Sequence, residues 1–135
     1  MAVYLADTWY LVALFDPNDN HHLQARRLDR ATARDLFATH DGVFSELLAY
    51  FSADGGVIRR RIVDFVRARQ QDPAWHVARG SDLFTRALRL YSERPDKEYS
   101  LVDCMSMTLM RERGITHVLT NDHHFRQEGF TVVNE

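Results

Sequence analysis

The sequence contains only one cysteine, Cys104. A single thiol excludes an internal disulfide, and without a CxxC partner it excludes a cysteine-based zinc site. Because Cys104 stands among apolar residues, we interpret it as a small core residue rather than as a nucleophile. Disulfide-rich scaffolds and thiol chemistry are therefore set aside.

Long apolar runs and an excess of charge are also lacking. The longest apolar runs, VYLA and TWYLVALF, are far shorter than the roughly 20 residues of a membrane span, and no signal-peptide pattern is present. We therefore expect a cytoplasmic protein with no membrane partner. The formal net charge of −2 neither supports nor excludes binding to RNA. A local basic patch or bound metal ions would have to attract the RNA phosphates.

What is present is the composition of a globular protein with a core, with 45% hydrophobic and 27% charged residues. We expect a single domain over residues 1–135. Strands are predicted at residues 2–7, 41–44, 75–78, 116–120 and 130–133. Helices are predicted at residues 8–16, 21–36, 45–51, from about 58 to 67, from about 83 to 91, and 100–110, with NDHHF as a turn. This alternation predicts an α/β three-layer domain, a mostly parallel sheet with helices on both faces.

Four acidic residues fall at one edge of the predicted sheet. Asp7 and Asp122 end predicted strands, Glu46 opens the helix after the second strand, and Asp103 opens the helix before the fourth. Ligands bind at the carboxyl edge of open α/β sheets, so the four carboxylates are expected to meet there. Each also has a purely structural interpretation, since Asp7 and Asp122 suit N-caps, Glu46 suits a helix dipole, and Ser100-x-x-Asp103 matches a capping box.

The convergence favours a metal site over four separate caps, because clustered carboxylates repel one another unless a cation compensates them. Oxygen ligands indicate Mg²⁺ or Mn²⁺ rather than zinc. The chemistry that such an ion serves is phosphodiester hydrolysis by a metal-activated water. The residues therefore predict a metal-dependent nuclease.

Histidine and arginine clusters offer weaker candidates. Neighbouring side chains on a helix point about a hundred degrees apart, so the pairs His21-His22 and His123-His124 are not expected to clamp one ion. His124 stands beside Asp122 and is expected to contact substrate instead. Arg60 and Arg67 are candidates for contact with RNA phosphates or a partner protein, although their helix fits a solvated face equally well.

Four blocks of the sequence resemble, in order and spacing, the signature blocks of the PIN domain, and more closely the toxin ribonucleases of VapBC toxin–antitoxin modules. The blocks are LADTWYLVALF, SELLAYF, YSLVDCMSMTLMRERGI and THVLTNDHHFRQEGF. The resemblance implies a doubly wound five-stranded sheet of order 3-2-1-4-5 and an endoribonuclease that depends on Mg²⁺ or Mn²⁺. It also implies an RNA substrate and a cognate antitoxin whose tail enters the acidic groove; a homodimer is expected as well.

By matching position, the resemblance makes the four acids the metal-binding and catalytic residues: Asp7, Glu46, Asp103 and Asp122. Thr8 and Thr120 match hydroxyls that orient those acids. The chain departs from the pattern at His124, where many relatives carry an acid, which leaves one or two metal ions open, and at Trp9, which is expected to line or narrow the groove. An RNA-processing nuclease without an antitoxin and a non-catalytic binding module remain alternatives.

Overall fold

The computed structural model, which describes residues 1–135, contains one sheet of five parallel strands. The strands are β1 (Val3–Ala6), β2 (Leu36–His40), β3 (Trp75–Ala78), β4 (His117–Leu119) and β5 (Thr131–Val133). Their order across the sheet is β3-β2-β1-β4-β5. The fold class and the strand order expected from the sequence are both confirmed.

Seven helices connect and cover the strands. They are α1 (Thr8–Phe15), α2 (His22–Ala31), α3 (Asp41–Tyr50), α4 (Gly56–Gln71), α5 (Ser81–Glu93), α6 (Leu101–Arg113) and α7 (His124–Gln127). The last of these begins within the segment NDHHF that the sequence predicted as a turn and extends two residues beyond it. None of the helices is both long and apolar enough to cross a bilayer.

The sheet separates two apolar cores because successive side chains of a strand point to opposite faces. Leu5 of β1 and Val118 of β4 belong to the core under α5, α6 and α7. Their neighbours Ala6 and Leu119 belong to the core under α1 to α4. Because both faces are covered, the middle strand β1 is a continuous apolar run without polar alternation.

The second strand lies earlier in the chain than the sequence predicted. Residues 41–44 form the first turn of α3, and β2 covers Leu36–His40, so the helix predicted over residues 21–36 ends at Ala31. Four of the five residues of β2 are buried, so the strand has no alternation to distinguish it from the end of a helix. Glu46 therefore stands in the second turn of α3 rather than opening it.

His40 explains where α3 begins. Its Nδ1 accepts a 3.1 Å hydrogen bond from the backbone N–H of Gly42, and its Nε2 lies 2.8 Å from Oγ of Ser106. Burial lowers the pKa of His40 to about 4, so the ring is neutral at pH 7 and its Nε2–H donates to Ser106. A Cβ at residue 42 would lie 2.9 Å from the imidazole, which is why glycine stands there.

The apolar face of α5 is divided between core and solvent. Leu83, Ala87 and Leu90 are buried. Phe84, Leu88 and Tyr91 are exposed although they are apolar. They form a stripe on the outer surface of the helix, since residues spaced by three and four lie on one side.

Candidate functional site

The four predicted acids lie at the carboxyl edge of the sheet. Asp7 follows β1 directly, and Asp122 lies in the loop between β4 and α7. Glu46 comes from α3 and Asp103 from the first turn of α6. The pKa of Asp103 responds to the charges of both Asp122 and Glu46, and the pKa of Asp7 responds to those of Asp103 and Asp122, so the four form one electrostatic cluster.

Asp7 is the buried member of the cluster, with 2% of its surface exposed. It occupies the N-cap position of α1, but its side chain makes no capping hydrogen bond. Burial raises the pKa of Asp7 to about 7, the charges of Asp103 and Asp122 act in the same direction, and a hydrogen bond from Thr120 opposes them. Its carboxyl group is therefore not explained as a helix cap.

Thr120 connects two of the acids. Its hydroxyl donates a 2.7 Å hydrogen bond to Oδ2 of Asp7 and accepts a 3.0 Å hydrogen bond from the backbone N–H of Asp122. Thr120 is itself buried. One side chain thus holds the end of β1 against the loop that carries Asp122.

Asp103 caps helix α6 through one carboxylate oxygen and leaves the other without a hydrogen bond. Ser100 Oγ accepts from the backbone N–H of Asp103, and Asp103 Oδ2 accepts from the backbone N–H of Ser100, both at 3.0 Å, which is a complete capping box. The hydrogen bonds of the Asp103 carboxylate go only to Ser100, through Oδ2. Burial and the charges of Asp122 and Glu46 raise the pKa of Asp103, as expected for a carboxylate that lacks a nearby cation.

His124 joins Asp103 and Asp122 in a triplet whose ligand atoms all lie within 4.8 Å of one another. Oδ1 of Asp122 accepts a 2.9 Å hydrogen bond from the backbone N–H of His124 and lies 3.1 Å from its Nδ1. That nitrogen is buried and has no hydrogen-bond partner. Two carboxylates and an unpartnered imidazole nitrogen fit a divalent cation.

Glu46 lies beside the triplet rather than within it. Its side chain is exposed, and Oε1 accepts a 2.5 Å hydrogen bond from the hydroxyl of Thr8. Thr8 is the first residue of α1, directly after Asp7. The structure therefore brings Asp103, Asp122 and His124 together most closely, with Asp7 beneath them and Glu46 at the rim.

An open groove of about 560 Å³ adjoins the acids through Asp122 and His124. Its other lining residues are Trp9, Asp19, His21, Asn121 and His123. Trp9, expected from the sequence to line or narrow a groove, is 52% exposed. The sequence analysis considered His21 only as part of a histidine pair and did not identify Asp19, because their place at the groove depends on how the segment between α1 and α2 folds back.

The two arginines predicted to contact RNA do not line this groove. Arg60 and Arg67 are exposed on α4, which packs against α3 and β3. The groove is instead lined from the segments around α1, the start of α2 and the β4–α7 loop. A role for these arginines in RNA binding stays a prediction.

Comparison with known proteins gives a consistent result. The family model of the PIN domain matches residues 4–130. The crystal structure of VapC20 from Mycobacterium tuberculosis, described as a sarcin–ricin loop cleaving toxin, is similar with a TM-score of 0.83 and 26% sequence identity over 99% of this chain and 100% of that one. A comparison with curated proteins finds no significant match.

Proposed function

Because the chain belongs to the PIN domain family, we propose that it is a toxin ribonuclease, an endonuclease that cleaves RNA with the help of Mg²⁺ or Mn²⁺. The observation that carries the proposal is the triplet of Asp103, Asp122 and His124, set above the buried carboxyl of Asp7 at the carboxyl edge of the sheet. The similarity to a toxin of the same fold and almost the same length supports it.

Each residue of the site has a distinct role in the proposed hydrolysis. A bound divalent ion supplies an acidified water and neutralises charge on the phosphate. Asp103 and Asp122 would hold that ion, and Asp7, whose pKa of about 7 reflects burial and the charges of those acids, would ionise beside the cation. Oε1 of Glu46 is held by Thr8, which leaves Oε2 at the exposed rim to take a proton from the attacking water.

The groove beside the acids suits a single-stranded or unpaired stretch of RNA. The exposed ring of Trp9 offers a surface on which a base stacks, and such stacking is worth about 1–3 kcal/mol per base. The related structure is that of a sarcin–ricin loop cleaving toxin. A sarcin–ricin loop RNA is therefore the first substrate to test, beside a tRNA and an unstructured RNA.

The test is cleavage of these RNAs by the purified chain in Mg²⁺, in Mn²⁺ and in a chelator. We expect cleavage only with metal, and a loss of at least about a hundredfold in Asp122→Asn, since removing a group that stabilises the transition state costs factors of this size. Asp64→Asn is the matched control, because Asp64 is an exposed acid of α4. Equal cleavage by parent and Asp122→Asn, or no cleavage by the parent of any RNA, would contradict the proposal.

We propose further that a cognate antitoxin binds the chain, with a tail in the acidic groove as the resemblance implies and a second contact elsewhere on the surface. A second groove, of about 570 Å³, lies where α1, α2 and α4 meet, and it is rich in arginine with an apolar floor. The guanidinium groups of Arg61 and Arg69 lie over the rings of Phe15 and Phe65 at 5.6 and 5.2 Å, so those aromatic faces are already covered. This chemistry suits a protein segment with acidic and apolar side chains better than stacked bases.

The antitoxin to test is the product of any small reading frame found next to the gene. Arg30→Glu, in the second groove, is expected to weaken binding of the antitoxin at least about tenfold. The attraction between Arg30 and an acidic side chain of the antitoxin would become a repulsion between two carboxylates. Arg113→Glu, which changes an exposed arginine at the end of α6 away from this groove, serves as the charge-matched control. The absence of any neighbouring antitoxin frame would instead favour an RNA-processing nuclease.

A homodimer is also part of the proposal. The exposed stripe formed by Phe84, Leu88 and Tyr91 on α5 is the apolar surface that a second copy would cover. Light scattering of the parent is expected to give twice the chain mass, and Leu88→Glu is expected to give the monomer. Leu23→Glu, which places the same charge on an exposed leucine of α2, should leave the mass unchanged.

A further inference from the structure

His124 brings a nitrogen atom to a site that is otherwise built from carboxylates. Its ligand atom lies within 4.8 Å of those of Asp103 and Asp122. Its Nδ1 is buried and has no hydrogen-bond partner, although it lies 3.1 Å from Oδ1 of Asp122. A buried ring nitrogen without a partner is costly, so its position among potential metal ligands calls for an explanation.

The neighbouring histidine shows that this placement is particular to His124. Nδ1 of His123 lies 2.7 Å from Nη1 of Arg126 at the exposed surface. The two adjacent rings therefore have different surroundings, and only His124 belongs to the triplet. The contrast arises from the loop, since Asp122 accepts the backbone N–H two residues ahead and thereby brings residue 124 over its own carboxylate.

The ring of His124 is also supported from behind. It packs against Tyr99 with the ring centroids 5.7 Å apart and the planes inclined at 62°. The hydroxyl of Tyr99 donates a 2.9 Å hydrogen bond to Oε2 of Glu128. The Glu128 carboxylate is also bound by Arg94, through Oε2, and by Arg111, through Oε1. Such supporting contacts fix the orientation of a ligand and raise the affinity of the site.

We propose that Nδ1 of His124 is the third protein ligand of the bound ion, and that this nitrogen makes the site prefer Mn²⁺ to Mg²⁺. The inference rests on the proposed function and concerns the choice of metal. Mg²⁺ is a hard ion bound almost entirely by oxygen. Mn²⁺ shares its preference for carboxylates, but as a softer ion of the first transition series it also accepts an imidazole nitrogen more readily than Mg²⁺ does. Asp103 and Asp122 attract either ion, so the nitrogen of His124 is the ligand that discriminates between them.

The test is binding of Mn²⁺ to the full chain, followed by electron spin echo spectroscopy, which detects nitrogen coupled to the bound ion. The parent is expected to show the coupling of one imidazole nitrogen. His124→Asp and His124→Gln are expected to lose it, and His123→Ala to keep it. Competition between Mn²⁺ and Mg²⁺ should show the parent's preference for Mn²⁺ falling at least about tenfold in His124→Asp, the lower limit for loss of a group that supports a metal.

Each outcome decides between the alternatives. Bound Mn²⁺ without nitrogen coupling in the parent, coupling that persists in both His124 variants, or an unchanged preference in His124→Asp overturns the ligand role of His124. If the parent nevertheless cleaves RNA with metal, the proposed function stands without it. Failure of the parent to bind Mn²⁺ overturns the inference alone if the parent cleaves RNA with Mg²⁺, and overturns both if it cleaves RNA with neither ion. Melting of each variant in chelator confirms that it is folded before its metal binding is compared.

Discussion

The hydroxyl of Thr120 donates a 2.7 Å hydrogen bond to Oδ2 of Asp7, joining residues 113 positions apart in the chain. The same hydroxyl accepts from the backbone of Asp122. Asp7 and Asp122 end up at one edge because β1 and β4 are parallel neighbours, but this hydroxyl sets how their side chains face each other. The arrangement of the acids therefore depends on the pairing of the strands and on the hydroxyl of Thr120 as well as on the acids themselves.

Replacing Thr120 by valine keeps the shape of the side chain and removes both hydrogen bonds. We expect a loss of about 1–3 kcal/mol in the free energy of unfolding, because the partner groups lie in a buried site. Affinity for Mn²⁺ should fall by about 10–100-fold through the misplaced acids. Urea unfolding and Mn²⁺ titration measure the two effects. Thr131→Val in β5, an exposed threonine, is the control, and equal losses in both variants would contradict the role of Thr120.

Asp7 makes the stability of the metal-free protein depend on pH. Its pKa is raised from 3.8 to about 7 by burial and by the charges of Asp103 and Asp122. A raised folded-state pKa contributes stability that is complete below the unfolded pKa and is lost as pH rises through the folded one. In chelator, the free energy of unfolding of the parent should therefore fall between about pH 4 and pH 7 by a few kcal/mol, at about 1.4 kcal/mol per pKa unit.

Asp7→Asn isolates that contribution. The variant should lose less stability than the parent between pH 5 and pH 8, and comparing each protein with its own value at pH 5 removes any pH-independent cost of the amide. The measurement is urea unfolding in chelator at the two pH values. Parallel curves for parent and variant would show that Asp7 titrates normally in the folded protein.

Glu46 should matter for activity and not for folding. Its side chain is exposed, and an amide oxygen at the same place still accepts from Thr8. In Glu46→Gln we expect the cleavage rate to fall at least about a hundredfold, the range for loss of a general base, with a melting temperature within a degree or two of the parent. Glu112→Gln, which removes an exposed carboxylate that pairs with Arg86, is the control for activity. Full activity in Glu46→Gln would remove Glu46 from the mechanism.

Glu128 is expected to stabilise the side of the protein that supports His124. Burial alone would raise the pKa of Glu128, but hydrogen bonds from Arg94, Arg111 and Tyr99 outweigh it and lower the pKa to about 2. A lowered folded-state pKa gives stability that is present above the unfolded pKa and is lost as pH falls through the folded one.

Glu128→Gln should therefore lose about 1–3 kcal/mol at pH 7, the usual range for hydrogen bonds to a charged group, and less than this at pH 3. Both arginines are at least one-third exposed, so a larger value is not expected. Glu93→Gln, which breaks an exposed pair on α5, should change stability by no more than about 0.5 kcal/mol. A loss at pH 3 as large as that at pH 7 would contradict the assigned charge interaction.

Much of the fold follows from the sequence, and the error at β2 shows where sequence patterns stop being informative. Asp7 and Asp122 were placed correctly because Asp7 directly follows β1 and Asp122 lies in the loop shortly after β4, and parallel strands end at the same edge. Residues 41–44 contain a glycine and two β-prone residues and predicted a strand, but His40 caps a helix there through the N–H of Gly42. That interaction depends on Ser106, 66 residues away, which no local pattern reveals.

The position of His124 shows the same limit within the site. Only one of the two adjacent histidines reaches the triplet, as expected for side chains that diverge, but the sequence predicted a substrate contact for His124 and not a place among potential metal ligands. The sequence did not reveal which oxygen atoms would surround that one, because the turn that Asp122 forms and the packing of Tyr99 decide it. An acid followed two residues later by histidine was the only local signal.

The most direct test of a metal site among these acids is anomalous diffraction from crystals of the full chain grown with Mn²⁺. We predict a manganese peak bounded by Asp103, Asp122 and His124, at about 2.0–2.3 Å from their ligand atoms as in other divalent-ion sites. A map with no peak at the carboxyl edge of the sheet, or with peaks only elsewhere on the surface, would show that the acids gather there for another reason.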